Sequence, residues 1–335
     1  MKRFHPFVFL FFFITLVACS NSQTGSEIEK ESNGVASNAT EREEYVLTLT
    51  HGFSTTHFMH TFMEWFNEEV QKRSEGRLSI DIYPQGQLVP VQQEASALVQ
   101  GQVDMAHSSS PPLTSFDPIW NFFELPFLFD YDPNDPLIYL ENRTAFNQHV
   151  EGGRKIAKRM EENGIKVLAI GYIDIFGSIF TNGKLVTDVK SAKGLRIRTP
   201  GGIITPKTVE SLGASSVTIA GTEAITALQQ GVIDGMLTTP MYAYDAKLPI
   251  KTYTYAPLFN PVTPVLISLE KFNALPQDLQ DILVETGKDY EQHVKETIHA
   301  SILEQLPKLE SEMGVKIYYP SDEEIDEMKK ATRSS

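Results

Sequence analysis

The chain is 335 residues long, 41% hydrophobic and 21% charged, an ordinary globular composition that excludes a disordered or fibrous protein and leaves room for about two domains. Lys and Arg total 29 against 43 Asp and Glu, a formal net charge of −14, or −16 without the two leader cations Lys2 and Arg3. A field of that sign repels phosphate backbones, which argues against nucleic acid as a partner and obliges any anion site to rest on local cations.

Lys2, Arg3 and His5 precede an apolar run from Pro6 to Val17. The run is too short to span a bilayer as a stable helix, and no later segment reaches the ~18 apolar residues required. Residues 1–18 therefore read as a signal peptide. The run ends in Leu16-Val17-Ala18-Cys19, which resembles the lipobox of bacterial lipoproteins; an ordinary signal peptide with an incidental cysteine is the alternative. The resemblance implies that Cys19 is the lipid-bearing N-terminus and that a membrane surface is a partner. Cys19 is the only cysteine, so the exported chain has no disulfide and must be stabilised by its core. Residues 20–44 are rich in Ser, Asn, Glu and Gly with almost no large apolar side chain. Residues 19–44 are thus expected to be a lipidated cysteine followed by a flexible tether.

From Tyr45 onward strand and helix patterns alternate. Residues 45–50 (YVLTLT) read as a buried strand, and Ser54, Thr55 and Thr56 offer caps for a helix carrying Phe58, Phe62, Phe66 and Val70. A strand is expected at Leu78–Ile82, closed by Pro84, then a helix over Gln92–Gln100 and a short strand over Val103–His107. One long helix is expected from about Pro136 to Asn163, followed by a strand at Ile165–Ile173. Further on come a strand at Leu195–Thr199, helices at Pro206–Leu212 and Thr222–Gln230, and a strand after Asp234. A long helix over Pro276–Met313, kinked at Pro307, closes the pattern. Such alternation predicts an α/β fold with mostly parallel sheets covered by helices, and ligands at the carboxyl ends of the strands.

Enzyme motifs are missing. There is no GxSxG, GxxxxGK[ST], GxGxxG or HExxH string, no thiol outside the leader, and no cofactor is implied. His57 and His60 share a helical face at metal-ligand spacing, but no carboxylate or cysteine nearby completes a shell, so they read as capping or surface residues. Asp130, Asp132, Asn134 and Glu141 fit a calcium-loop template except that Asp135 stands where glycine is needed; an acidic turn leading into a helix is the simpler reading.

Several strings occur in one order: Gly76-Arg77-Leu78-Ser79-Ile80, Tyr83-Pro84-Gln85-Gly86-Gln87-Leu88, Gly101-Gln102-Val103-Asp104-Met105-Ala106, and Glu124-Leu125-Pro126-Phe127-Leu128-Phe129. They continue with Lys193-Gly194-Leu195-Arg196-Ile197-Arg198-Thr199-Pro200, Leu212-Gly213-Ala214, Glu223, Ala227 to Gly235, and Leu275-Pro276. Over about Tyr45 to Val315 the chain resembles the DctP-type solute-binding proteins of TRAP (tripartite ATP-independent periplasmic) transporters. The resemblance implies a two-lobed, periplasmic-binding-protein-like α/β fold, each lobe a mixed, mostly parallel sheet flanked by helices, with a long hinge helix. It places lobe I at 45–173 plus about 263–302 and lobe II at 174–262 plus about 303–330. It implies no enzyme, a small organic acid as ligand, an extracytoplasmic lipid-anchored location, and a sodium-driven TRAP membrane permease as partner. A ligand-sensing surface lipoprotein, or an exported hydrolase or lyase on the same scaffold, are the alternatives.

In the family, the second arginine of the G-L-R-I-R-T-P string pairs with the ligand carboxylate, which implies Arg198 here; a guanidinium offers two parallel N–H bonds and stays charged when buried. Arg196, two residues away, falls on the same face of an ideal strand, so spacing alone does not choose between them. Members that bind acidic sugars carry a further arginine near the place of Gly177, whereas no arginine lies between Lys166 and Lys184. That departure implies a monocarboxylate, with room for an apolar body. By the same alignment Thr238 or Thr239, Ser108 and Ser109, and His51 and Thr55 at the first strand–helix junction line the cleft. Leu125-Pro126-Phe127 packs and shapes it, and Asp104 and Asp234 brace turns.

Overall fold

The computed structural model describes residues 43–333. The leader, Cys19 and the tether up to residue 42 lie outside the described residues. In chain order the first half runs β1 (Tyr45–His51), α1 (Phe58–Arg73), β2 (Leu78–Tyr83), α2 (Glu94–Val99), β3 (Met105–His107), α3 (Ser110–Leu113), α4 (Pro136–Gln148), α5 (Gly153–Glu161) and β4 (Ile165–Tyr172). It continues with β5 (Ser178–Thr181), β6 (Arg196–Thr199), α6 (Ile204–Ser211), β7 (Ser215–Thr218), α7 (Gly221–Gln229), β8 (Gly235–Thr238), α8 (Pro240–Asp245) and β9 (Thr252–Thr254). The last part is β10 (Val262–Ser268), α9 (Leu269–Ala274), α10 (Gln277–Ser311), β11 (Lys316–Tyr318) and α11 (Asp322–Arg333).

These strands build two sheets, ordered β2-β1-β3-β10-β4 and β11-β9-β5-β8-β6-β7. Both are mixed. Five of the nine ladders are parallel; β10 runs antiparallel to β3 and β4, and β5 antiparallel to β8 and β9. Strands β5 and β10 lie beside two of the three places where the chain passes between sheets, 173–177 and 255–261; the third passage runs through α9 and α10 to β11. Leu47 and Leu49 of β1 and Phe62, Phe66 and Val70 of α1 are buried together, as the period-two and four-residue patterns require. Trp120, Phe123, Ile170 and Leu266 fill a second core against the first sheet, and Ile179, Ile197, Leu237, Ile325 and Met328 a third in the second lobe.

Helix α10 ties the two lobes together. Its 35 residues span about 52 Å at 1.5 Å per residue. It packs on β4 and α1 of the first lobe and on α8 of the second. The helix continues through Pro307 to Ser311. Among the described residues, no helix is long and apolar enough to cross a membrane.

Two local expectations are corrected. The helix expected from Pro136 to Asn163 is two helices, α4 and α5, broken at His149–Gly152. The break lets the start of α5 lie directly on the end of α4: a Cβ at Gly153 would come within 2.6 Å of the Asn147 backbone, so only glycine fits. The cap of α1 is not Ser54, Thr55 or Thr56 but His57, whose Nδ1 accepts the Met59 N–H at 3.1 Å.

The crossings are locked by Arg143 of α4, which is buried among them. Its Nη1 donates to the carbonyls of Asp174 (2.7 Å) and Ile175, and its Nη2 to that of Pro261 at 2.8 Å. One guanidinium thus holds both connections. The Gly177 N–H bonds Phe259 O at 2.8 Å, and a Cβ at Gly177 would sit 1.6 Å from the Phe259 ring. A side chain at 177 would require the Phe259 ring to move aside.

Candidate functional site

Strand β6 (RIRT) presents two arginines, and the structure separates them. Arg196, 46% exposed, forms a two-pronged ion pair with Asp234: Nε to Oδ2 at 3.0 Å and Nη2 to Oδ1 at 2.8 Å, with a further bond to Gly231 O. Asp234 is accordingly held below the usual carboxylate range, and it braces the turn before β8 as expected. Arg198 is only 7% exposed. Its Nε donates to Ile219 O at 2.9 Å, and among the described residues its two terminal amino groups make no hydrogen bond and no carboxylate pairs with it. Burial pulls its pKa down to about 10, opposed by the Tyr242 phenol, so it remains a cation at neutral pH. A buried cation with an open fork and no counter-ion is a site built for an anion.

In the same sheet as β6 the second lobe carries Thr238, at the end of β8, and Thr239, which leads into α8; both are buried. Thr238 faces Ser178 of β5 in register, and the Ser178 hydroxyl has no partner among the described residues. Tyr242, one turn into α8, reaches Gly221 O with its hydroxyl at 3.4 Å. Its ring lies 5.6 Å from the His57 ring at 28°. His57 belongs to the first lobe, so this pair bridges the cleft. A second bridge is Gly202, whose backbone lies against Pro111 and Thr114 closely enough that a Cβ would be 3.2 Å from the Thr114 hydroxyl. The lobes are in contact.

The other residues expected at the cleft divide. His51 is fully buried, its Nδ1 accepting the Phe53 N–H at 3.1 Å and its Nε2 bonding His60 Nδ1 at 3.0 Å. Both nitrogens are occupied, and burial, reinforced by His60, pushes its pKa to about 4. It braces the β1–α1 loop and has no hydrogen-bonding group left for a ligand. Thr55 stands exposed in that loop. The Ser108 hydroxyl is buried against Glu94 Oε2 at 2.6 Å, and burial raises Glu94 to about 8, so this acid carries its proton at neutral pH. Ser109 precedes α3 with no side-chain bond to it and is half-buried. Asp104 holds β1 to β3 through the Thr48 N–H and hydroxyl, both at 2.9 Å, and pairs with Lys271. Phe127 is packed in the core of the second lobe. The acidic run at 130–135 forms a turn in which Asp132 accepts the Asn134 N–H and Asp135 caps α4. Sequence reasoning read His57 as a capping or surface residue, and missed Tyr242, the contact of His57 with it, and His107. The last is fully buried, bonded through Nε2 to the Tyr290 hydroxyl at 3.0 Å and 5.7 Å from the Phe53 ring. Their signal is a partner on the other lobe or in another element, which no local pattern carries.

Comparison with known proteins gives one consistent result. A family model described as bacterial extracellular solute-binding protein, family 7 (DctP), matches residues 49–335. The 2,3-diketo-L-gulonate-binding periplasmic protein YiaO of Escherichia coli is 26% identical over 257 residues, covering 72% of each chain. A TRAP periplasmic solute-binding protein from Haemophilus influenzae, solved with bound L-gulonate, superposes with a TM-score of 0.76 at 26% identity over 86% of this chain and 92% of that one. A Bordetella pertussis extracytoplasmic solute receptor binding pyroglutamic acid shares the fold at a TM-score of 0.77 and 22% identity, covering 87% and 92% of the two chains.

Proposed function

The chain belongs to the DctP family of bacterial extracellular solute-binding proteins, and from that membership we propose that it closes its two lobes on a small organic monocarboxylate and delivers it to a TRAP-type membrane permease. The observation that carries the reading is Arg198, a buried cation whose fork faces no protein acid. A carboxylate seated there makes two parallel N–H bonds and supplies the missing counter-charge. The single charge follows from the other cations nearby. Arg196 is neutralised by Asp234, Arg143 is occupied by three carbonyls, and His51 and His57 are uncharged at neutral pH. That similar proteins carry L-gulonate or pyroglutamic acid supports an acid as the ligand class.

Thr238, Thr239 and Ser109 are the polar lining residues in this reading. Lobe I comprises 45–173 with about 263–302, and lobe II 174–262 with about 303–330. Closure of two such lobes, joined by crossing strands and a long helix, is hinge motion. Cys19, at the end of an apolar leader, is the lipid anchor, and residues 20–44 are the tether that holds the body outside the membrane.

Thermal shift against a panel of small carboxylates tests the ligand site. A ligand present at a hundred times its Kd adds about 2.7 kcal/mol to stability, and that gain is expected to vanish in Arg198→Ala. Arg196→Ala, which removes an exposed pair of the kind worth under about 1 kcal/mol, is expected to keep it. A shift that survives Arg198→Ala removes Arg198 from the site. For the anchor, membrane fractions of cells producing the wild type should hold the protein and Cys19→Ser should release it; equal partitioning of the two rejects lipidation.

A further inference from the structure

We propose that His57 and Tyr242 are the second half of ligand recognition, an uncharged imidazole N–H and a phenol face that together select a flat monocarboxylate bearing an acceptor atom over dicarboxylates and polyhydroxylated acids. The inference rests on the function proposed above and adds to it the shape and polarity of the ligand body.

The protonation of His57 is fixed by its role as a cap. Because Nδ1 accepts the Met59 N–H, the proton of the neutral ring sits on Nε2. Nε2 makes no hydrogen bond to any described residue. Burial, reinforced by His51, moves the ring's pKa down to about 4, so it offers a donor without a charge. The titratable groups around it are themselves uncharged or paired: His51 and His107 are pushed toward the neutral form, His60 bonds His51 and lies 3.4 Å from Glu64, and the Tyr242 phenol is pushed above its usual range by burial.

The walls are aromatic. The His57 ring is 4.4 Å from Phe58, 4.9 Å from Phe53 and 5.6 Å from Tyr242, the first and last of these stacked. Tyr242 connects this box to the cation. A Cβ at Gly221 would lie 3.8 Å from Arg198 Nη2 and 4.0 Å from the Tyr242 hydroxyl, so the phenol oxygen sits at the Arg198 end while the ring face meets His57. A ligand with its carboxylate on Arg198 therefore extends along the Tyr242 ring toward His57. Aromatic faces favour a flat apolar body. They offer no partners for a row of hydroxyls, and a second carboxylate finds no second cation, leaving a buried charge unpaired.

The test compares nicotinate, benzoate, succinate and gluconate by calorimetric titration of the whole protein. Nicotinate, a flat monocarboxylate with a ring acceptor, is expected to bind at least tenfold more tightly than succinate or gluconate. His57→Phe keeps a ring and loses the N–H; it is expected to weaken nicotinate about tenfold and leave benzoate within twofold. Because His57 also caps α1, His57→Asn, which retains a capping oxygen, is measured alongside and should lose the nicotinate preference as well. Tyr242→Leu should weaken both ring acids. Succinate or gluconate binding more tightly than nicotinate, or a nicotinate affinity unchanged in both His57 variants, overturns the inference. In that event, continued loss of all binding in Arg198→Ala leaves the solute-binding reading intact. Absence of binding by every carboxylate instead overturns that reading, and this inference with it.

Discussion

Arg143, where the chain crosses between the lobes, and Arg198, in the wall of the cleft, are both buried, and burial lowers the pKa of each. Their surroundings differ. Arg143 sits over the Tyr172 ring at 4.9 Å and gives both terminal amino groups to main-chain carbonyls of the two crossings. Arg198 gives only Nε to the main chain and keeps its fork. The first is a structural tie whose terminal amino groups the fold has satisfied, with only Nε left without a partner among the described residues; the second is a desolvated charge whose terminal fork the fold leaves open. Burial alone therefore does not mark a ligand residue, and a terminal fork without partners does.

The contrast breaks most directly at Arg143. Arg143→Met strands three buried carbonyls and should cost about 3–5 kcal/mol, the range for removing one member of a buried charged network, seen as a lower urea midpoint. Arg198→Ala in ligand-free protein removes a charge without a partner and should leave that midpoint unchanged or raise it. Equal midpoints for Arg143→Met and wild type would show that the crossing does not depend on this tie.

Glu94 sharpens the comparison, because there the fold neutralises a buried ion with a proton instead of a partner. Its folded pKa of about 8 lies above the ordinary 4.5. The folded state thus keeps a proton the unfolded chain gives up, and stability falls as pH rises through 8. Between pH 7 and pH 9 the loss from this group is about 1.4 kcal/mol, and Glu94→Gln should flatten that slope in urea titrations at the two pH values. His51 and His57, with folded pKa values of about 4, act in the opposite direction and only below pH 6.5, outside this window. A slope unchanged by Glu94→Gln assigns the titration elsewhere.

Much of the fold was legible because it is written locally. Residues 45–50 alternate, Phe62, Phe66 and Val70 recur one turn apart, and each segment forms the element its period predicts. Gly152-Gly153 was the available signal for the break between α4 and α5, and a reading that followed only the apolar period ran past it. At the site, alternation put Arg196 and Arg198 on one face, and only the family string chose between them. Arg143 in a helix looks like a solvated polar letter, and His57 ahead of one like a cap or a surface residue. Their importance comes from Pro261 and Tyr242, remote in sequence, and distance along the chain hides it. Ser108 shows the converse: a hydroxyl at an aligned position whose bond to Glu94 no alignment of strings reveals.

The strand order of the first sheet also sets a schedule for folding. Strand β10, residues 262–268, lies between β3 and β4. Until it emerges, two inner edges stay unpaired, and α10, which covers β4, comes later still. Neither sheet is built from one continuous stretch, so no early portion of the nascent chain can finish one, and pairing between distant strands makes assembly slow. A polypeptide with the leader proposed at residues 1–18 therefore stays short of its native fold until most of its length has been synthesised, the condition required for threading across a membrane before folding.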